Sequence, residues 1–491
     1  MVIFVKKESF WCKDVSVDNI NSLDENIEVD VLIIGGGLSG ICTAYYLRNS
    51  NLKVALVEQG FVGCGVTSKT TGKINYLQET IYSDLETMYS FDVAKKYYDS
   101  QRFAINELLK IIKDENIECN LEKVESFVYA NKTMEIENIK FEKDILERFG
   151  CFVKEYGGID VDLNSKYAIS VSDTYVFHPL KFLYALKNII LENNVDIYEY
   201  TRIIGMKKNS KGYICRTSKN TIKAKKVILT CHYPFFLKPY LMPLKVYTEK
   251  SYVVVGKVKS YDNKSFITSS NPCVSIRYFN DDDKYMFYLS NSHNLCNKLN
   301  EEDNFDEVLE SAKKIGLDVE YAWSNDDIIS IDRIPYIGRI EKDNDNLLIG
   351  TGFSTWGMTN SLLSGYILSN MIMNNHTRYD DIFNPLRVNL TSCFVNIGSN
   401  LKSYVENKIN KNKKWYKSNV KYEMRNGKNV AIYIDSDNVE HIVMSNCPHM
   451  GCTLIFNEVE KTWDCPCHAS RFNVDGKCVK GPSVYDITYK E

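Results

Sequence analysis

The run Asp30-Val-Leu-Ile-Ile-Gly35-Gly36-Gly37-Leu-Ser-Gly40-Ile-Cys-Thr-Ala constrains the fold more than any other stretch of the chain. Its apolar first half reads as a buried strand, the glycines as a turn, and the residues after Gly40 as a helix. In Gly35-x-Gly37-x-x-Gly40 the first glycine permits a tight turn and the second lets a pyrophosphate approach the backbone. The third lets helix and strand pack closely. The helix N-terminus offers unsatisfied N–H groups and roughly half a positive charge to an anion. A second apolar strand, Val54 to Val57, ends at Glu58, 23 positions beyond Gly35. That is near the spacing of about 20 expected for an acid that binds a ribose 2′-hydroxyl and repels a 2′-phosphate.

A length of 491 residues calls for several domains, since single cores stop growing at roughly 250 to 300 residues. Hydrophobic residues at 44% and charged residues at 25% match a globular chain and exclude disorder. A net charge of −3 supplies no field that would draw the molecule to nucleic acid or anionic lipid, so small partners are expected. The start, MVIFVKKESFW, lacks the apolar core of a signal peptide, which predicts a cytoplasmic protein. No membrane span is expected either. The most apolar window, Trp356 to Met373, is interrupted by Thr359, Asn360, Ser361, Ser364, Gly365, Ser369 and Asn370. The 15 cysteines are odd in number and spread along the chain, unlike a secreted disulfide scaffold. Five of them, with His449 and His468, crowd the last 45 residues, which marks a site.

Along the chain, residues 1–28 read as a polar N-terminal arm and 29–383 as one large unit. Its nucleotide-binding part is expected from discontinuous pieces, about 29–80, 170–235 and 325–375. A substrate part is expected over about 81–169 and 236–324. Within it, Val246 to Leu289 alternates aromatic and polar residues as half-buried antiparallel strands do. The Asn/Lys-rich stretch 384–418 reads as a linker, and 419–491 as a terminal domain entered through a hairpin around Arg425-Asn-Gly427.

Beyond Glu58, the segment Gly63-Cys-Gly65-Val-Thr67-Ser-Lys-Thr70-Thr71-Gly72-Lys73 places small and hydroxylic residues near the acidic strand end. Two later stretches stand beside it. These are Ser330-Ile-Asp332-Arg-Ile-Pro335-Tyr336-Ile-Gly338 and Gly350-Thr-Gly352-Phe353-Ser-Thr-Trp356-Gly357-Met358-Thr359-Asn360. Together, over roughly residues 28 to 375, they resemble the D-amino-acid-oxidase-like FAD oxidoreductases, which include glycine and sarcosine oxidases. The resemblance implies FAD held by Gly35, Gly37, Gly40, Glu58, Thr67, Thr70, Thr71, Asp332, Gly352, Phe353, Gly357, Met358 and Thr359. Independently of it, a glycine-rich loop opening a helix aims N–H groups at an electron-rich locus such as the flavin N1/C2=O edge. A second GxGxxG after a strand is missing, and Cys64 has no partner four or five residues away. Electrons are therefore expected to come from the substrate.

Near the C-terminus stand two boxes, Cys447-Pro-His449-Met-Gly-Cys452 and Cys465-Pro-Cys467-His468-Ala-Ser470-Arg-Phe472. One cysteine and one histidine per box resembles the Rieske 2Fe-2S domain, though the ligand count also suits a Cys2His2 zinc site. The resemblance assigns Cys447 and Cys465 to one iron and His449 and His468 to the other. It also implies a disulfide between Cys452 and Cys467. Asp475-Gly476 and Gly481-Pro482-Ser483 extend it, resembling the proline loop that covers the cluster. Ser470 matches a hydroxyl that hydrogen-bonds cluster sulfur, but Phe472 stands where high-potential members carry tyrosine. The potential is thus expected below that of Ser/Tyr members, within about −150 to +300 mV. Ala469, in place of the usual glycine, is expected only to stiffen the loop.

The fold class expected is a multidomain α/β (α+β) chain. It joins a Rossmann-like FAD fold with an inserted antiparallel-sheet substrate domain to an all-β C-terminal Rieske domain. In this order the parts look like bacterial FAD-dependent oxidoreductases with a terminal Rieske domain. A flavin accepts two electrons as hydride and the cluster carries one. The leading expectation is oxidation of a small amine or amino acid, with single electrons leaving to an unidentified one-electron acceptor. The alternatives are an oxygen-using oxidase with a structural or sensing cluster, and a non-enzymatic redox sensor. A Rieske oxygenase is disfavoured because His178, His232, His293, His376 and His441 are dispersed, with no local pair for a mononuclear iron. Catalytic residues are unknown. Lys73 stands as a candidate near the flavin or as a solvated lysine, and Arg277 as a carboxylate clamp or a surface salt bridge. His178 is a possible base, though helix entry suffices to explain it. Trp356 packs either on the flavin or in the core.

Overall fold

The structure, a computed structural model, describes residues 5–15, 20–159, 164–193, 195–235, 242, 245–270, 272–295, 301–387, 419–458 and 460–490. The strand Ile27–Ile34 pairs in parallel with Val54–Val57 on one side and Thr221–Leu229 on the other. Val195–Tyr198 and Asn344–Thr351 extend the parallel order outward. Continuous apolar runs suit strands covered on both faces. Leu32, Ile33, Ala55, Leu56, Val227 and Ile228 are fully buried here. An antiparallel edge strand, Tyr336–Glu341, and the hairpin of Gly205–Asn209 with Gly212–Arg216 complete eight strands. Helices Leu38–Leu47 and Gly357–Ile372 pack against one another beside this sheet.

A second sheet has nine strands. Five consecutive antiparallel neighbours, Asp318–Ser330, Val246–Lys257, Lys284–Leu295, Cys273–Asn280 and Lys264–Thr268, make most of it. Glu122–Ala130 joins Lys264–Thr268 in parallel and pairs with Tyr167–Val176, so chain from before and after residue 200 closes one sheet. The helix Glu301–Lys314 lies in a charged stretch that the sequence reading did not single out.

The arm expected over 1–28 is not a detached polar segment. Ser9 caps a short 3-10 helix, Phe10–Asp14, and Phe10 and Trp11 are fully buried. Trp11 stacks on Phe287 at 4.7 Å and donates its indole N–H to the Thr70 carbonyl at 2.7 Å. Two adjacent aromatic rings bury too much apolar surface to remain in water.

The terminal domain has a three-stranded sheet (Val420–Arg425, Lys428–Ile434, Glu440–Met444) and a four-stranded one (Ile455–Asn457, Thr462–Asp464, Arg471–Asn473, Cys478–Lys480). Asn426 and Gly427 make the two-residue hairpin turn with φ of 50° and 73°, the conformation their residue types favour. Most of the expected linker, 388–418, lies outside the described residues. Among the described residues no helix is long and apolar enough to cross a membrane.

Candidate active site

A cavity of about 400 Å³ opens where the carboxyl ends of the parallel strands meet the second sheet. Gly35 leaves its strand with φ of 119°, and a Cβ there would stand 2.7 Å from the Thr230 carbonyl oxygen. A Cβ on Gly40 would stand 2.0 Å from the Gly35 oxygen, so the third glycine is a packing residue, set back from the cavity. Gly37 begins the helix without a side-chain cap; Thr67 Oγ1 accepts the first helical N–H, from Leu38, at 3.1 Å. Glu58 accepts N–H groups from Gly36 at 2.7 Å and Gly60 at 2.9 Å. Burial raises its pKa while those backbone donors oppose the shift.

Thr67, Thr70 and Thr71 line the cavity, as do Gly352, Phe353, Gly357 and Met358 at the start of the helix Gly357–Ile372. Trp356 sits at that helix's N-cap without a capping side chain and also lines the cavity. The N-termini of two helices and the glycine cradle fit a dinucleotide with an electron-rich ring. Two expected contacts fall elsewhere. Asp332 pairs with Arg387 at 2.7 and 2.9 Å, since a buried carboxylate needs a fixed cation. Thr359 donates to Gln101 at 2.7 Å, inside the helix packing.

Neither reading of Arg277 holds. It is fully buried, and one of its guanidinium nitrogens donates to the carbonyls of Thr71, Gly72 and Phe177 at 2.6, 3.0 and 3.2 Å. It pins the cavity segment to the sheet and is neither a surface pair nor an open clamp. Lys73 is likewise buried rather than solvated. It lines the cavity, with Nζ donating to Phe266 O at 2.9 Å and Ser275 Oγ at 2.7 Å, and burial pulls its pKa down to about 7. His178 caps the helix Pro179–Glu192, its Nδ1 accepting the Lys181 N–H at 3.2 Å.

In the terminal domain the rings of His449 and His468 stand 5.0 Å apart and nearly perpendicular, at 89°. The Nδ1 of each is buried with no hydrogen-bond partner, and burial lowers both pKa values to about 4, leaving neutral donors for a metal. Cys447 and Cys465 are buried thiols in mutual hydrogen bond, which lowers the pKa of the first to about 7 and raises that of the second. Two thiols sharing one proton and two orphaned imidazole nitrogens fit a positively charged metal group. Cys465 Sγ also lies within 4.8 Å of the sulfurs of Cys452 and Cys467, but those two are joined in a disulfide and are not thiolate ligands. Ser470 Oγ accepts the Ser483 N–H at 2.9 Å, tying the second box to the proline loop. Ala469 has φ of 58°, which costs about 1–2 kcal/mol for a residue with a Cβ, so its effect is strain rather than mere stiffening.

The two sites adjoin. Arg471, Lys480, Gly481, Ser483 and Val484 of the terminal domain line the same cavity as Gly35 and Gly37. Lys480 meets Asp326 at 2.6 Å, Lys250 meets Asp464 at 3.2 Å, and Lys69 meets Glu460 at 3.5 Å across the boundary. Arg471 joins Glu460, Asp464 and Asp326 in the same network. Burial alone would raise the Asp326 pKa, but Lys480, Lys250 and Arg471 hold it well below the usual range. Tyr233 lines the cavity and sets its ring 5.7 Å from that of His468. Sequence reading singled out neither Tyr233 nor the polar triplet Asn325-Asp326-Asp327. The run of three polar residues breaks the alternation of its strand, which is the available signal.

Comparison with known proteins agrees with this geometry. The model of the FAD dependent oxidoreductase family matches residues 30–371, and that of the Rieske [2Fe-2S] domain matches 408–489. A Bacillus subtilis chain named as a Rieske 2Fe-2S iron-sulfur protein, YhfW, is 29% identical over 489 residues, 97% of this chain and 96% of that one. Gamma-glutamylputrescine oxidoreductase of Escherichia coli is 21% identical, covering 74% of this chain and 88% of its own. Glycine oxidase from Geobacillus kaustophilus has a similar fold, with a TM-score of 0.61 at 16% identity, over 74% of this chain and 99% of that structure. With a glycine cradle in the cavity and a Cys/His nest in the terminal domain beside it, this chain belongs to the FAD dependent oxidoreductase family and carries a C-terminal Rieske 2Fe-2S domain.

Proposed function

We propose that this protein oxidises a small amine or amino acid in the cytoplasm and passes the electrons singly to a one-electron acceptor through its terminal domain. The observation that carries this reading is Tyr233, which lines the cavity on one side and meets the ring of His468 at 5.7 Å on the other. When bound, FAD would supply two-electron chemistry, taking a hydride from the C–H bond beside the amine nitrogen, and the 2Fe-2S cluster would carry one electron at a time.

The chain's own residues would divide the work. Gly35, Gly37, Thr67 and the start of the helix Leu38–Leu47 would hold the pyrophosphate, and Glu58 the ribose. The N–H groups opening the helix Gly357–Ile372 would face the flavin edge where negative charge gathers. Cys447, Cys465, His449 and His468 would hold the cluster. Arg471, Lys480, Gly481, Ser483 and Val484 line the cavity from the terminal domain and would help keep water from the reacting centre. Lys73, held near neutrality by burial, would accept a proton from the substrate ammonium.

Anaerobic mixing with substrate should bleach the flavin and then the cluster. Tyr233→Leu should slow the second phase and leave the first unchanged. A cluster that stays oxidised beside reduced flavin in the wild-type protein would refute the relay.

A further inference from the structure

We propose that Ser251, Asn325 and Asp327 form an ammonium subsite in the cavity, so that the substrate is a cationic amine rather than an α-amino acid held by its carboxylate. This deepens the function proposed above and rests on it. The strands Val246–Lys257 and Asp318–Ser330 are antiparallel, with Ser251 opposite Asn325 and Glu249 opposite Asp327. Strand alternation sends Asp326 toward Lys480 and the terminal domain, and leaves Ser251, Asn325 and Asp327 lining the cavity.

The atoms they present are acceptors. Asn325 Nδ2 donates to both carboxylate oxygens of Asp327 at 3.2 Å, which fixes the amide orientation and leaves Oδ1 as the outward atom. That Oδ1 and the Ser251 hydroxyl have no partner, although the two residues are only 6% and 2% exposed. Buried acceptors left without a donor cost stability unless something fills them. An ammonium group carries three donors and the positive charge that Asp327 lacks. Burial, with Asp326 and Glu249 against Lys480, pushes that carboxyl up to about 7.

A carboxylate would find less. The two arginines among the described lining residues, Arg202 and Arg471, are engaged with terminal-domain carboxylates. Arg277 lies outside the cavity lining, and although its Nη2 has no partner, its Nη1 is held by three backbone carbonyls. Lys73 already donates to Phe266 and Ser275.

The test titrates the oxidised, FAD-loaded protein anaerobically with 1,4-diaminobutane, 4-aminobutanoate and L-alanine. Binding is followed by the shift of the flavin absorbance band, and turnover by its bleaching. The diamine is expected to bind at least about tenfold more tightly than either amino acid, and Asp327→Asn to weaken it by about tenfold or more. Tighter binding of an amino acid by the wild-type protein overturns the subsite, as does a diamine affinity that Asp327→Asn leaves unchanged. Bleaching by the amino acids alone would overturn the subsite and leave the proposed oxidation standing. If amines and amino acids alike neither bind nor bleach the flavin, both readings fail.

Discussion

Lys480, on the last strand of the terminal domain, holds Asp326 of the oxidoreductase domain at 2.6 Å, and Asp326 is 3% exposed. Arg471 and Lys250 stand 3.6 and 3.8 Å from the same carboxylate. One buried anion therefore gathers cations from both sides of a domain boundary. Such a hub fixes geometry more than it adds net stability, because desolvation consumes most of the Coulombic gain.

Removing the anion is a different matter, since it strands the cations. Asp326→Ala is expected to cost about 3–5 kcal/mol of domain docking. Calorimetry should then resolve two unfolding transitions where the parent shows a coupled one. Lys480→Met should cost less, because that side chain is 24% exposed and its absence leaves Asp326 two other cations. An unaltered melt for Asp326→Ala would deny the clamp.

Gly40→Ala tests the nucleotide cradle by packing alone. The added methyl would collide with the Gly35 oxygen at 2.0 Å, in the turn itself, and with Thr230 Oγ1 at 2.9 Å, just past the neighbouring strand Thr221–Leu229. A cost of at least about 1–3 kcal/mol is expected, with protein that purifies depleted of flavin. Gly157→Ala, with nothing within 4 Å of its Cβ, serves as the control and should keep its flavin. Equal flavin content in the two variants would be the contrary result.

What could be read from the chain beforehand follows from how local each signal is. The strand ending at Gly35 and the Cys/His boxes announce themselves because turn geometry and metal chemistry demand fixed residue types at fixed spacing. The pairing of Asp332 is not legible because its partner, Arg387, lies 55 positions away and nothing nearby marks the pair. Arg277 sits among aromatic residues in a strand, a context equally fit for a surface pair. Only the folded sheet reveals that three carbonyls from residues 71, 72 and 177 converge on it. Tyr233 and His468, or Asp326 and Lys480, meet across a domain boundary, and no periodicity in one segment encodes a contact made by another.

Ser470 accepts an N–H from Ser483 and stands in hydrogen bond with Cys447, so its hydroxyl proton points toward the sulfur site. A donor to sulfur stabilises the reduced, more negative cluster. Ser470→Ala is expected to lower the reduction potential by about 60–130 mV, taking 1.5–3 kcal/mol for a hydrogen bond to a charged acceptor and 59 mV per tenfold change. A redox titration followed by electron paramagnetic resonance reads it directly. A potential that does not fall would remove Ser470 from the set of donors.

His178 gives the fold an acid sensitivity with a definite sign. Its ring is buried against Trp11 at 4.8 Å, with Nδ1 on the helix start and Nε2 unpartnered. Burial, then the charges of Lys181 and Arg277, lower its pKa to about 3. Unfolded, the same ring titrates near 6.5. Between those values the unfolded chain holds the extra proton. The stabilisation is therefore complete above about pH 6.5 and drains as pH falls toward 3, by up to about 1.4 kcal/mol per pH unit. His232, buried and also lowered to about 3, adds a slope of the same sign. His178→Asn keeps a capping acceptor but does not titrate. It should be the less stable protein at pH 7, through lost packing on Trp11, and the gap should narrow at pH 5. Urea midpoints measured at both pH values decide it, and parallel curves would show that the ring is protonated, or already exposed, in the native state.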